Sequence, residues 1–226
     1  MFHDLINLFF PQTCVICEEI LSKNEHLICT NCLHELPVTN YHLDNDNPVI
    51  KVFYGRIELE NATSLLLFHK KSNVQTLIHQ LKYRGHKEIG VYLGAWAGNT
   101  LAQFENYRDI DIVIPVPLHK KKLESRGFNQ VEGFGKELSK ALNAEYLDDV
   151  LLKKSFTSTQ TLKTRFARGS NVEETFVLEK SEVIKNKHVL LVDDLITTGA
   201  TIEACANILK ESPGVKISVL SMAFTE

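Results

Sequence analysis

The chain has 226 residues, 44% hydrophobic and 23% charged, with a formal net charge of −3. That composition excludes a fibrous or disordered chain and suits one medium globular domain plus a small module. The slightly negative balance excludes a bulk attraction for nucleic acid, so any such contact needs a local basic patch.

Residues 2–10 (FHDLINLFF) carry Phe2, Leu5, Ile6, Phe9 and Phe10 on one side of a short amphipathic helix that Pro11 stops. A docking helix explains this pattern better than membrane contact. The start lacks a basic n-region and carries Asp4, so it does not read as a signal peptide. No apolar run reaches the roughly 18–20 residues that span a bilayer. The expectation is a cytoplasmic protein whose five cysteines serve metal or core packing rather than disulfides.

Cys14-Val15-Ile16-Cys17 and Cys29-Thr30-Asn31-Cys32 are two closely spaced CxxC pairs. Each places two thiolates on one tight turn, and two such turns complete a tetrahedral S₄ set that favours zinc. Four protein ligands leave no open position, so the site is expected to be structural. A redox role is the rival, without a βαβ context of the thioredoxin type to support it. His26 and His34 read as surface residues. Residues 37–50 (PVTNYHLDNDNPVI) are polar and turn-rich and read as a linker. The expected division is therefore a helix and zinc module over residues 1–40 and a second domain over 41–226.

From there the pattern is α/β. Ala62 to His69 reads as a strand, and Val74 to Tyr83 as a helix ended by Arg84-Gly85. Glu88 to Phe104 reads as a longer helix whose Gly90, Gly94, Ala95, Ala97 and Gly98 suit close packing. Ile110 to Val116 is a buried strand, followed by the basic stretch His119 to Lys122 with Arg126. That stretch is either a solvated loop or an anion-binding one. Gly127 to Leu142 reads as a helix, and Glu145 to Leu152 and Lys216 to Ala223 as further strands. Residues 153–171 are polar, basic and aperiodic: a surface loop, or a lid over an anion offering Lys163, Arg165 and Arg168.

The most informative stretch is Val189 to Thr201 (VLLVDDLITTGAT). Four apolar residues read as a fully buried parallel strand. Asp193 and Asp194 follow at its carboxyl end, then a hydroxyl-rich turn and a helix. In open α/β sheets ligands sit outside the carboxyl ends of the strands, and a helix start binds phosphate. Thr197, Thr198 and Thr201 add hydroxyl donors, Gly199 admits close backbone approach, and Ala200 completes the phosphate-binding run before the helix read over Thr201 to Lys210. Asp193 and Asp194 can accept hydrogen bonds from two sugar hydroxyls. A sugar 5-phosphate fits this arrangement. A P-loop does not, because no Gly-Lys-Ser/Thr stands at the required spacing.

The same run resembles the phosphoribosyl diphosphate (PRPP) signature of type I phosphoribosyltransferases. Taken with the four-cysteine module, Leu81-Lys82-Tyr83-Arg84-Gly85, Pro115-Val116-Pro117-Leu118-His119, Arg126-Gly127-Phe128-Asn129-Gln130, and Gln160 with Arg168 and Asn171, the chain resembles the ComF family of competence-associated bacterial proteins. Ser125 departs from the family pattern, as does Leu162. The resemblance implies an α/β type I phosphoribosyltransferase fold and PRPP as ligand. Val116, Pro117 and Leu118 would hold the diphosphate, with Arg126 and Arg168 as its cationic, catalytic contacts. Structural Zn²⁺ and substrate-borne Mg²⁺ are the implied ions. The implied role lies in DNA uptake, alongside other competence proteins. The alternative is a non-catalytic PRPP sensor or single-stranded-DNA adaptor.

Overall fold

The computed structural model describes residues 11–157 and 172–226. The helix expected over 2–10, and Gln160, Leu162, Lys163, Arg165, Arg168 and Asn171, lie outside the described residues. The main element is a five-stranded sheet in the order β1-β7-β6-β2-β3. Its strands are β1 (Ala62–Leu67), β2 (Ile112–Pro115), β3 (Glu145–Tyr146), β6 (His188–Ile196) and β7 (Lys216–Phe224). Every pairing in it is parallel. Val189 to Val192 are fully buried at its centre, as expected of a strand covered on both faces.

Helices α3 (Asn73–Tyr83), α4 (Glu88–Leu101) and α6 (Glu132–Leu142) bury one face around Leu190 and Val192. Helix α7 (Ala200–Leu209) buries the other around Val189 and Leu191. Ser72 caps α3 by accepting from the Gln75 N–H at 3.3 Å. The small residues of α4 do pack closely. A Cβ on Gly94 would stand 2.6 Å from the Phe134 carbonyl oxygen, and one on Gly98 would stand 2.7 Å from Ala141 Cβ.

The module's α1 (Thr30–His34) and its Cys14, Val15, Ile28, Cys29, Cys32 and Leu36 share one apolar cluster with α3, α4 and the sheet. Its core is thus continuous with that of the larger domain.

Several expectations change. The 37–50 stretch is not a plain linker. Buried Asn47 caps α2 (Pro48–Lys51) by accepting from Val49 and Ile50 N–H, while its own amide donates to the Ala62, Tyr41 and Asp44 carbonyls. The basic stretch after β2 is not a loop but α5 (Lys120–Arg126), capped by His119 and ended at Gly127 with φ +76°. Lys, Leu, Glu and Arg are good helix formers whatever their charge, and propensity decided here. The strand expected over 145–152 breaks at exposed Asp148 and Asp149. β4 (Leu151–Thr157) then pairs antiparallel with β5 (Val172–Leu178), so 153–157 is strand rather than loop. Among the described residues, no helix is long and apolar enough to cross a membrane.

Candidate functional site at the carboxyl end of the sheet

From β2 the chain proceeds to β3 on one side of the sheet, and from β6 to β7 on the other. The crevice between the carboxyl ends of β6 and β2 is therefore the topological switch point, where ligands of open α/β sheets bind. Both sequence candidates, the 116–118 loop and the 193–201 run, border it.

The phosphate-type loop is shaped from outside. Gly199 has φ +73°, and a Cβ there would stand 2.7 Å from both Phe53 Cε1 and Val52 Cγ1. Only glycine fits both the left-handed backbone and that contact. Arg56 Nη1 donates to the Thr198 carbonyl at 2.7 Å, and its guanidinium pairs with Glu203. Phe53 and Arg56 thus brace the loop, a role the sequence reading missed because nothing near them forms a motif. Thr197, Thr198, Ala200 and Thr201 are exposed. Gly199 makes no side-chain cap on helix α7, and the Ala200 N–H donates weakly to Thr198 Oγ1 at 3.5 Å, so the helix start and the threonine hydroxyls lie together at this loop.

The two aspartates diverge, as neighbours on a strand do. Asp193 is half-buried and shares a small pocket with Thr197, Thr198, Gly199 and Thr201. Its Oδ1 accepts from the Asp194 N–H at 2.8 Å. Burial first, and then the Asp194 carboxylate, push the Asp193 carboxyl up to about 8. Asp194 is buried and held from the other side. Its Oδ1 pairs with Lys82 Nζ at 2.7 Å, and its Oδ2 accepts from Gln130 Nε2. The Arg126 Nη1 donates to Gln130 Oε1 at 2.8 Å, and its guanidinium stands 5.3 Å from the centre of the Tyr83 ring.

Asn129 Nδ2 donates to the Val116 carbonyl at 3.1 Å, and the Val116 N–H donates to Val192 at 2.8 Å. Pro117 and Leu118 are half-buried beside it. The block Arg126 to Gln130 therefore joins the 116–118 loop to the aspartate pair, while from α3 Lys82 holds Asp194 and Tyr83 holds Arg126. Lys82 and Gln130 lay inside noted motifs, but only tertiary contact gives them partners. Arg126 falls within this assembly, whereas Arg168 lies outside the described residues.

In the module, the ligand atoms of Cys14, Cys17, Cys29 and Cys32 lie within 4.8 Å of one another. A tetrahedron of Zn–S bonds has edges of roughly 3.8 Å, and Cys17 Sγ and Cys29 Sγ are 3.7 Å apart. The Cys29 N–H donates to Cys14 Sγ at 3.3 Å. Burial opposes ionisation of Cys14, but N–H groups of Cys17, Cys29 and Ile16 outweigh it and lower that thiol to about 7. A sulfur so placed is ready to bind as thiolate. His26 and His34 are exposed and outside the cluster.

A family model described as "Phosphoribosyl transferase domain" matches residues 132–222, and one described as "Double zinc ribbon domain" matches residues 5–43. The "DNA utilization protein YhgH" of Escherichia coli O157:H7 is 24% identical over 94% of this chain and 90% of that protein. "Competence protein F" of Haemophilus influenzae is 24% identical over 95% of this chain and 98% of its own length. "Competence protein ComFC" of Streptococcus pneumoniae is 35% identical over 53% of this chain and 50% of its own. The chain is similar to the ComF family, a likeness that these relatives and the two domain matches support. It joins a phosphoribosyltransferase-type α/β domain to a module with a structural zinc site. A purine phosphoribosyltransferase structure from Pyrococcus horikoshii aligns over 60% of this chain and 73% of its own, at 18% identity and a TM-score of 0.38.

Proposed function

We propose that this ComF-like protein binds PRPP at the switch-point crevice and transfers or releases its phosphoribosyl group, in the service of DNA uptake. One observation carries the reading: the block Arg126 to Gln130 joins a strand-end loop and an acidic strand end beside the glycine-capped start of α7. An exposed helix start and threonine hydroxyls suit the 5-phosphate at Thr197, Thr198, Gly199, Ala200 and Thr201. Asp193 and Asp194 suit the ribose hydroxyls. Asp194 has one protein donor on each oxygen, and a carboxylate oxygen accepts two hydrogen bonds, so it can still take a sugar hydroxyl.

The diphosphate lies at Val116, Pro117 and Leu118, with Arg126 and Arg168 neutralising it. In the reaction, the bond from the anomeric carbon to diphosphate breaks and one to the acceptor forms. Arg126 stabilises the charge that develops on the leaving group. Asp194 is engaged by Lys82 and Gln130, so Mg²⁺ fits best as an ion carried by substrate oxygens and waters. When bound, it supplies further neutralisation of the diphosphate. The domain division supporting this reading is a zinc module over 1–40 and a phosphoribosyl domain over 41–226, in the cytoplasm.

The test is calorimetry with Mg·PRPP, followed by diphosphate release in the presence of a pool of bases and amines. Leaving a hydrogen-bonding partner in a closed site unsatisfied costs about 1–3 kcal/mol. Asp193→Ala should therefore weaken PRPP by roughly tenfold or more. Wild-type protein with no affinity for PRPP, or a variant that binds it unchanged, would remove PRPP from this crevice. Binding without diphosphate release from any acceptor would favour the sensor alternative.

A further inference from the structure

We infer that Lys82 is a positioning residue of the crevice: by neutralising Asp194 it fixes the Gln130 amide, and that amide fixes the Arg126 guanidinium. This role rests on the phosphoribosyl reading above.

Asp194 is only 4% exposed. A carboxylate so buried persists when a cation and hydrogen bonds replace water. Lys82 Nζ, at 2.7 Å, is that cation, and its side chain is itself 19% exposed. With Oδ1 engaged by Lys82, Oδ2 is left to Gln130. A glutamine amide has one donor end and one acceptor end. Its donor end lies on Asp194, so its oxygen must face outward, and it meets Arg126 Nη1 at 2.8 Å. The opposite orientation would set an amide oxygen against a carboxylate and an NH₂ against a guanidinium.

Arg126 is held a second time by the face of Tyr83, which is 64% exposed and therefore carries the guanidinium at the surface of the crevice. Tyr83 follows Lys82 directly, so one helix end supplies both the counter-ion and the platform. Without these contacts, an arginine in the last turn of the seven-residue α5 is free to sample many rotamers. Ordering such a side chain costs up to about 2 kcal/mol. A guanidinium held in advance meets a diphosphate without that cost. Lys82 does not touch PRPP in this scheme; its effect on Arg126 passes through Asp194 and Gln130.

The experiment is a double-mutant cycle on the full chain, read as the calorimetric Kd for Mg·PRPP, with thermal melts in parallel. Lys82→Met and Arg126→Gln should each weaken binding by about tenfold or more. The double variant should be no more than about threefold weaker than Arg126→Gln alone, because both changes remove the same contact. Lys82→Arg, which keeps the charge, should recover most of the affinity. Lys82→Met leaves Asp194 buried without a cation and can fail to fold. Gln130→Leu interrupts the same chain while sparing the ion pair, and it should show the same loss and the same coupling to Arg126. Losses that multiply in the double variants would reduce Lys82 and Gln130 to ordinary structural residues, as would wild-type affinity in Lys82→Met or Gln130→Leu. A wild-type protein that does not bind Mg·PRPP would instead sink the phosphoribosyl reading, and this role with it.

Discussion

The zinc module gathers Cys14, Cys17, Cys29 and Cys32 from one short stretch of chain, whereas the crevice joins Lys82, Arg126, Gln130 and Asp194 from α3, α5 and its following turn, and β6. The first cluster needs two local turns and a metal. The second exists only when the whole sheet and its helices are in place. A metal of high affinity tolerates a small core, because binding energy becomes folding energy. An anion site made of ordinary side chains has no such source, so it depends on preorganisation by packing.

The strongest challenge to that contrast is Cys29→Ser. It should remove most of the zinc, about one equivalent in the wild type, and lower Tm by on the order of 10 °C. The fall should spread beyond the module, because Cys29 belongs to the same buried cluster as α3 and α4. A variant that keeps its metal and its melting point would show that the four thiols are not one ligand set.

Gly94→Ala tests the packing on which the crevice depends. Its Cβ would stand 2.6 Å from the Phe134 carbonyl oxygen, where backbone must give way. Overpacking of this kind costs about 1–3 kcal/mol, outweighing the roughly 1 kcal/mol of helix propensity gained over glycine. The urea midpoint should fall while the zinc content stays constant. An unchanged midpoint would mean that α4 and α6 separate easily.

Asp193 sharpens the comparison through pH. Its carboxyl is raised from an ordinary 3.8 to about 8, so folding favours the neutral form. The stability carried by that form is fully present below the unfolded value and is lost as pH rises through about 8. Asp193→Asn should therefore be more stable than wild type at pH 8.5, by about 1 kcal/mol for a half-buried group, with the gain shrinking toward pH 4. Denaturant titrations at three pH values read this directly. A pH-independent difference would mean that Asp193 is not desolvated.

The smallest effect is expected from Arg56→Ala. Its pair with Glu203 is about one-third exposed on each side, and such pairs contribute about 0.2–1 kcal/mol. The visible change should be faster hydrogen exchange of amides 197–203, since the bond to the Thr198 carbonyl is also lost. Unaltered exchange would mean that Phe53 and Val52, rather than Arg56, hold the loop.

The sequence by itself determined the elements whose signals are local. Two CxxC pairs specify the metal cluster, and four consecutive apolar residues specify the central parallel strand. The glycines of α4 announce a close helix contact that α6 supplies. Charge was less informative: Lys120 to Lys122 suggested a loop, yet helix propensity and the His119 cap formed α5. Adjacency in the sequence suggested that Asp193 and Asp194 work alike. Only the tertiary structure decided that one lines the Thr-Gly loop and the other is bound to Lys82 and Gln130. The physical reason is that successive side chains on a strand leave it in opposite directions. Their partners come from helices far away in the sequence, and no local pattern encodes which distant side chain a buried charge will meet.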